Sequence, residues 1–203
     1  MSMGPSDSIA DPWYNSPLRR RQSLCWCPEV NPDTAAVMDP SSRLDRMIMR
    51  LTAQRNCLLH GLALVADLPG PIIEFGLGKG RTCDFLRNHA NGRRVIAFDR
   101  EIHCPPDCVP APEDLVLGDF YDTVAGSRDR IGDMAALVHL DVGSEDLAAD
   151  AILVAWLSIA VDPLVTAGAV VIADRVMSNP RWRPLAEPPG GSGNSHFMYR
   201  VSD

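Results

Sequence analysis

The chain has 203 residues, 46% hydrophobic and 22% charged, which is typical of one globular domain with a sizeable core. Its net charge of −7 argues against a protein that mainly binds nucleic-acid phosphate. The longest nearly uncharged apolar run, residues 151–161, is too short to span a membrane, and no secretory signal is visible, so a cytoplasmic location is predicted.

Residues 1–40 contain six prolines and no helical or strand period, which predicts a flexible N-terminal extension. A single domain is predicted over residues 41–203. The basic cluster at residues 19–21 is interpreted as part of a solvated tail.

The six cysteines favour reduced thiols over a disulfide framework. Two groups suggest a metal site, Cys25 with Cys27, and His103 with Cys104 and Cys108. Neither group has the usual zinc spacing, and the role of Cys104 and Cys108 stays open.

The first predicted element is an amphipathic helix that begins near Ser42. Ser41 or Ser42 can cap it, and the Pro-Gly-Pro of residues 69–71 ends it. Its predicted core face consists of Leu44, Met47, Ile48, Leu51, Leu58, Leu62 and Val65.

Strands and helices alternate after this helix. Apolar runs predict strands at residues 71–75, 93–98, 115–117, 135–140, 169–173 and 196–201. Helices are predicted at residues 82–88, 121–130 and 144–164, the last with Ser144 as its cap. Continuous apolar strands separated by helices indicate a doubly wound α/β fold with a parallel sheet.

Acidic residues stand at or just after the ends of five predicted strands. In open parallel sheets, ligands bind at the carboxyl ends of the strands, so these acids are candidate site residues. They are Glu74, Asp99, Asp119, Asp141 and Asp174.

A glycine loop follows the first strand with the spacing Gly76-x-Gly78-x-Gly80 and opens a helix. A dinucleotide site needs Gly-x-Gly-x-x-Gly, and Arg81 stands at the third glycine position. Glu74, just before the loop, would repel a pyrophosphate and attract an ammonium group. The charge therefore favours S-adenosylmethionine, which carries an ammonium and no phosphate, over a dinucleotide.

The next two strand ends suit an adenosine. Asp99, at the end of the second strand, can accept hydrogen bonds from both ribose hydroxyls, a feature shared with dinucleotide sites. Asp119 can accept from an adenine amino group while Phe120 lies against the ring.

These motifs, residues 74–80 followed by Asp99 and Asp119, resemble the class I (Rossmann-like) S-adenosylmethionine-dependent methyltransferases. Residues 42–48 and 51–55 are similar to the opening helix of a small bacterial group of S-adenosylmethionine methyltransferases. The resemblance implies a mostly parallel seven-stranded sheet whose last strand is antiparallel, preceded by an N-terminal helix.

The resemblance also implies a donor site. Glu74 would bind the methionine ammonium, Asp99 and Arg100 would lie along the adenosine, and Asp119 with Phe120 would face the adenine. The remaining implied cofactor-binding residues are Gly76, Leu77, Gly78, Lys79, Gly80, Gly118 and Asp141.

The fourth strand end faces the transferred methyl in this fold, so Asp141 is the first candidate for contact with the substrate or the sulfonium. His139 is a candidate base, although a histidine inside a strand is more often a core residue with its hydrogen bonds satisfied. No catalytic residue is assigned beyond these two candidates.

Asp141 and Asp174 also resemble the magnesium sites of catechol-type O-methyltransferases. Those enzymes have asparagine after the second acid, whereas this chain has Arg175, which disfavours a cation. No metal is therefore predicted, with Asp141 and Asp174 as the weak candidates.

The C-terminal tail permits two interpretations. Residues 181–183 and 190–195 could form a mobile cover over the acceptor, or an edge hairpin with a flexible connection, which is favoured. Residues 196–201 suit the antiparallel last strand.

The leading hypothesis is a methyltransferase that transfers a methyl group from S-adenosylmethionine to a small-molecule acceptor by in-line displacement. The alternatives are an NAD(P)-dependent oxidoreductase and a non-catalytic S-adenosylmethionine-binding protein. An RNA or protein acceptor and a homo-oligomer stay open; no membrane partner is expected.

Overall fold

The fold was obtained as a computed structural model that describes residues 42–144, 146–190 and 195–203. The predicted extension of residues 1–40 lies outside the described residues, as do its basic cluster, Cys25 and Cys27. None of the helices in the described ranges is long and apolar enough to cross a membrane.

The first helix, α1, spans Arg43–Leu64 and begins where predicted. The Ser42 hydroxyl caps it by accepting a hydrogen bond from Asp45 N at 3.0 Å. The predicted core face is wrong in its first turns, where Leu44, Met47 and Ile48 are exposed. These turns extend past the core, because the buried residues of α1 begin only at Ala53.

Seven strands form one sheet in the order β3-β2-β1-β4-β5-β7-β6. Strands β1 to β5 are parallel, β7 is antiparallel to β5, and β6 is antiparallel to β7. This confirms the predicted fold. The bounds are Ile72–Phe75 (β1), Val95–Asp99 (β2), Leu115–Leu117 (β3), Ala135–Leu140 (β4), Val165–Ala173 (β5), Trp182–Leu185 (β6) and Phe197–Val201 (β7).

No apolar run predicted β6, although the edge-hairpin interpretation covered its first residues. This strand pairs with β7 as a hairpin at the edge of the sheet, with Trp182 opposite Val201. The edge-hairpin interpretation of the tail is therefore the correct one for these residues. Residues 191–194 lie outside the described ranges.

The later helices are α2 (Arg81–His89), α3 (Phe120–Thr123), α4 (Arg128–Ile131) and α5 (Leu147–Ala160). The single helix predicted for residues 121–130 is wrong, because the chain turns between α3 and α4 around Gly126. Ser127 closes this turn by donating its hydroxyl to the Val124 carbonyl at 2.7 Å.

The long helix predicted for residues 144–164 begins later and ends earlier. Asp146, not Ser144, caps α5 by accepting from the N–H groups of Ala148 and Ala149, each at 3.0 Å. The helix ends at Ala160, and Pro163 lies in a short 3-10 turn that leads into β5. Strand β5 therefore begins at Val165, earlier than predicted.

The sheet is covered on both faces. Ile72 packs in a cluster with residues of α1 and α2, such as Leu58 and Leu86. The next residue, Ile73, packs in the opposite cluster with Leu157 of α5. Because successive side chains point to opposite faces, burial on both faces explains why the strands are continuous apolar runs.

Candidate functional site

Glu74 lies on β1 beneath the glycine loop and is fully buried. Its Oε1 accepts a hydrogen bond from the hydroxyl of Thr82, in the first turn of α2. His139 Nδ1 on β4 is 3.6 Å from the same oxygen, just beyond hydrogen-bond distance. Glu74 Oε2 has no hydrogen-bond partner in the described residues. A buried carboxylate oxygen without a donor is costly and therefore marks a candidate binding position.

All three glycines of the loop have a positive φ, and two of them show where a ligand could approach. At Gly76 (φ 94°), a side chain would meet the Asp141 carbonyl at 2.2 Å, so the backbones of these two residues touch. At Gly78 (φ 49°), a side chain would meet nothing within 4 Å. The open space above Gly78 would let a ligand approach the backbone closely.

Asp99, at the end of β2, is held rigidly. Its Oδ2 accepts from Gly78 N at 2.8 Å, and its Oδ1 accepts from Arg100 N at 2.6 Å. Arg100 Nη2 pairs with Asp119 Oδ2 at 2.8 Å, which links the ends of β2 and β3. Asp119 Oδ1 in turn caps α3 by accepting from Tyr121 N at 3.0 Å.

A cavity of about 440 Å³ opens between the glycine loop and α5. It unites six of the predicted site residues, which come from four separate strand ends. These are Gly76, Gly78, Asp99, Arg100, Phe120 and Asp141.

The other predicted residues do not line this cavity. Glu74 and His139 are buried below it, Leu77 packs in the core and Lys79 points to solvent. Asp119 contacts its lining residue Arg100. Gly118 and Gly80 contribute to turns, since each has a positive φ.

Much of the cavity wall consists of residues that no sequence motif predicted. Tyr121 lines it and packs on Trp156 of α5 with the ring centroids 4.4 Å apart. The residues on the α5 side of the wall were predicted only as part of a helix, because they carry no motif. The missed lining residues are Tyr121, Val142, Gly143, Ser144, Ala149, Asp150, Ile152 and Leu153.

Asp141, at the end of β4, is held by two residues of α1. Gln54 Nε2 donates to Asp141 Oδ2 at 2.8 Å, and Arg50 Nη1 is 3.5 Å from Oδ1. Burial alone would raise the pKa of Asp141, but its interactions with His139, Gln54 and Arg50 outweigh burial and hold the pKa below its usual value. Asp141 is therefore a carboxylate near neutral pH.

Asp174, at the end of β5, lies beside Asp141, because Asp174 N donates to the Leu140 carbonyl at 2.9 Å. Burial and the negative charge of Asp141 raise the pKa of Asp174. Arg175 Nη1 pairs with Asp174 Oδ2 at 3.1 Å. Within residues 42–144, 146–190 and 195–203, no group of three or more His, Cys, Asp or Glu side chains is arranged to hold a metal ion.

The structure also brings two cysteines to the glycine loop. A side chain at Gly80 would meet Cys108 Cβ at 2.6 Å and Cys104 Cβ at 2.9 Å, so both cysteines pack against this glycine. Both are free thiols, as are Cys57 and Cys83. Cys104 and Cys108 therefore support the turn into α2 from outside the cavity.

Residues 41–201 match a family model described as S-adenosyl-L-methionine methyltransferase. The crystal structure of an S-adenosyl-L-methionine methyl transferase from Silicibacter pomeroyi DSS-3 is 35% identical and has a TM-score of 0.75, with 79% of this chain and 99% of that chain covered. Human methyltransferase-like protein 13 in complex with SAH is 15% identical and has a TM-score of 0.47, with 77% and 80% covered. No curated protein sequence matches the chain significantly.

The family match confirms the resemblance that the glycine loop, Asp99 and Asp119 suggested, and it overturns the NAD(P)-dependent oxidoreductase alternative. This chain belongs to the S-adenosyl-L-methionine methyltransferase family and uses S-adenosylmethionine as its methyl donor.

Proposed function

We propose that this methyltransferase binds S-adenosylmethionine in the cavity between the glycine loop and α5 and transfers the methyl group to a small-molecule acceptor beside Asp141. The main support for this position of the donor is Glu74 Oε2, which is buried beneath the glycine loop and has no hydrogen-bond partner in the described residues.

The methionine ammonium of the donor suits Glu74. An ionised carboxylate with an unpaired oxygen in the core is unfavourable until a positive donor reaches it, directly or through a bridging water. Thr82 occupies the other oxygen and fixes the orientation of the carboxylate. The open space above Gly78 gives the amino-acid part of the donor a close approach to the backbone.

The adenosine suits the other end of the cavity. Asp99 is oriented by three backbone N–H groups and retains lone pairs for the ribose hydroxyls. Phe120 and Tyr121 offer apolar surface to the adenine ring. Asp119 stays a predicted adenine contact, although Arg100 and Tyr121 N already engage its two oxygens.

The methyl group is delivered by in-line displacement at the sulfonium carbon, a reaction in which positioning and exclusion of water matter most. Asp141 is fixed by Gln54 and Arg50 at the wall of the cavity. Its negative charge favours the sulfonium cation at this position, which is the role we assign to it.

The small-molecule acceptor is a proposal that starts from the acidic composition of the chain. The net charge of −7 disfavours a nucleic-acid acceptor. The cytoplasmic location and the homo-oligomer stay predictions from the sequence.

Calorimetric titration with S-adenosylhomocysteine tests the donor site. We expect wild-type protein to bind it, and Asp99→Ala and Glu74→Gln to weaken binding about tenfold or more, because each loses a charge-assisted hydrogen bond. Asp129→Asn, an exposed acid on α4, is the control and should bind as wild type does. Unchanged affinity in both site variants would place the donor elsewhere.

A further inference from the structure

Buried polar atoms without a hydrogen-bond partner gather at the carboxyl ends of the central strands. Within the described residues they include Glu74 Oε2, His139 Nδ1, Asp174 Oδ1 and His196 Nε2. Buried groups are normally satisfied, so a cluster of unsatisfied ones calls for a ligand. The methionine ammonium accounts for Glu74 in the proposed function, and Asp174 is paired with Arg175, which leaves His196 Nε2 without a role.

The sheet places His196 in line with Asp141, the acid that we place beside the sulfonium, although His196 does not itself line the cavity. Strand β7 pairs with β5 so that Phe197 stands opposite Ala173. One residue further in this register, His196 stands next to Asp174. Because the Leu140 carbonyl anchors Asp174 N at 2.9 Å, His196, Asp174 and Asp141 form a row across the ends of β7, β5 and β4.

The His196 imidazole is 3% exposed. Its Nδ1 is 3.1 Å from the Ser195 hydroxyl, and its Nε2 has no hydrogen-bond partner in the described part of the chain. Burial, reinforced by His139 and Arg50 and opposed by Asp141, lowers the pKa of His196 to about 4. The ring is therefore neutral at pH 7, and its second nitrogen can carry a lone pair.

His139, the base candidate from the sequence, has other neighbours. Its ring is fully buried, with Nδ1 3.6 Å from Glu74 Oε1 and Nε2 3.5 Å from Gln54 Nε2. It lies between these two side chains, one on each side of the ring. We assign it to the support of Glu74 and Gln54.

We propose that His196 accepts the proton of the methyl acceptor, and that this acceptor is therefore a hydroxyl or amine compound whose O–H or N–H donates to His196 Nε2. This inference rests on the proposed function, because it takes the sulfonium to lie beside Asp141. It excludes acceptors without a transferable proton, such as thioethers and tertiary amines.

The atoms balance without a further reactant. A lone pair on the acceptor oxygen or nitrogen forms the bond to the methyl carbon, and the carbon–sulfur bond breaks with its electron pair going to sulfur. The acceptor proton passes to His196 Nε2 and then to solvent. The products are the methylated acceptor, S-adenosylhomocysteine and one proton.

The probe is sinefungin, a donor analogue in which a carbon bearing an amine replaces the methylated sulfonium. Its ammonium occupies the place of the transferred methyl and can donate to a base that faces this place. We expect calorimetry to show wild-type protein binding sinefungin about tenfold more tightly than S-adenosylhomocysteine, and His196→Phe to lose most of this preference while its affinity for S-adenosylhomocysteine is retained. His103→Phe, at an exposed histidine, is the matched control and should keep the preference.

The two proposals fail in different ways. If S-adenosylhomocysteine does not bind wild-type protein, the proposed donor site is wrong. If it binds, and His196→Phe keeps the full preference for sinefungin, the role of His196 is wrong. If His196→Phe does not fold, imidazole nitrogen NMR of wild-type protein decides. The His196 Nε2 resonance should move on addition of sinefungin and not of S-adenosylhomocysteine, and equal spectra would overturn the proposal.

Discussion

Gln54 in the middle of α1 donates a 2.8 Å hydrogen bond to Asp141 at the end of β4. Gln54 is buried, so this bond crosses from the helix to the edge of the sheet inside the protein. The helix that precedes the sheet thus does more than cover one face, because it orients an acid in the cavity wall.

Gln54→Met tests this bond, since methionine retains the volume and removes the donor. We expect the free energy of unfolding to fall by about 1–3 kcal/mol, because Asp141 Oδ2 loses its partner in a partly buried site. Urea denaturation measures the change. The control is Thr52→Met, at an exposed position of the same helix. Equal stability of the two variants would show that the bond contributes little.

Gly78→Ala is expected to affect ligand binding far more than folding. A methyl group there meets no atom within 4 Å, but it enters the space that we assign to the donor. The alanine also adopts a positive φ, at a cost of about 1–2 kcal/mol. Gly92→Ala shares the positive φ and the open surroundings but lies away from the cavity. Calorimetry should show at least about tenfold weaker binding of S-adenosylhomocysteine for Gly78→Ala alone.

Gly80→Ala is expected to destabilise the fold beyond the cost of its positive φ. Its methyl group would lie 2.6 Å from Cys108 Cβ and 2.9 Å from Cys104 Cβ, so the cysteine loop must shift. The same Gly92→Ala variant, with φ 79° against 75° for Gly80, isolates the steric part. We expect Gly80→Ala to lose about 1–3 kcal/mol more in urea denaturation. A loss no greater than that of Gly92→Ala would contradict this packing.

Stability should depend on His196 in acid. In the unfolded chain this histidine binds a proton below about pH 6.5, whereas in the folded protein it binds one only below about pH 4. The unfolded state therefore holds more protons between these values, and stability falls as the pH drops from 6.5 to 4.

The expected slope from His196 is at most about 1.4 kcal/mol per pH unit. Besides burial, His139 and Arg50 lower the pKa of His196, and Asp141 raises it. Urea denaturation at several pH values should show a shallower fall for His196→Phe than for wild type. Parallel curves would show that His196 titrates normally in the folded protein. The exposed variant His103→Phe should follow wild type.

The sequence predicted the sheet well because β1 to β5 are short, continuous apolar runs separated by helices. Strand β6 was missed, since its four residues include a proline and only their pairing with β7 makes them a strand. The cap of α5 was misplaced by two residues because Ser144 and Asp146 are both good capping residues. The contact of Ser144 with Asp150, which decides between them, is visible only in three dimensions.

The residues of the proposed donor site could be predicted because they form ordered motifs within a short stretch of the sequence. The other side was missed because Gln54 and His196 are 142 residues apart. The sequence did contain one indication that Gln54 has a special role. It lies between Leu51 and Leu58 at helical spacing, so a polar residue occupies the buried stripe of α1. His196 carried no signal, since its position depends on the pairing of β7 with β5.

Asp141 lies at a boundary between the residues assigned to the donor and those near the acceptor, both along the chain and in the fold. The residues that we assign to the donor lie between Glu74 and Asp141, whereas the residues that hold Asp141 come from α1 and the proposed base His196 precedes β7, near the two ends of the domain. An exchange of these end segments between family members should therefore change which compound is methylated while the central stretch keeps its affinity for S-adenosylhomocysteine. The choice of acceptor could then be changed by exchanging the two end segments together, without a change in the central donor-binding stretch.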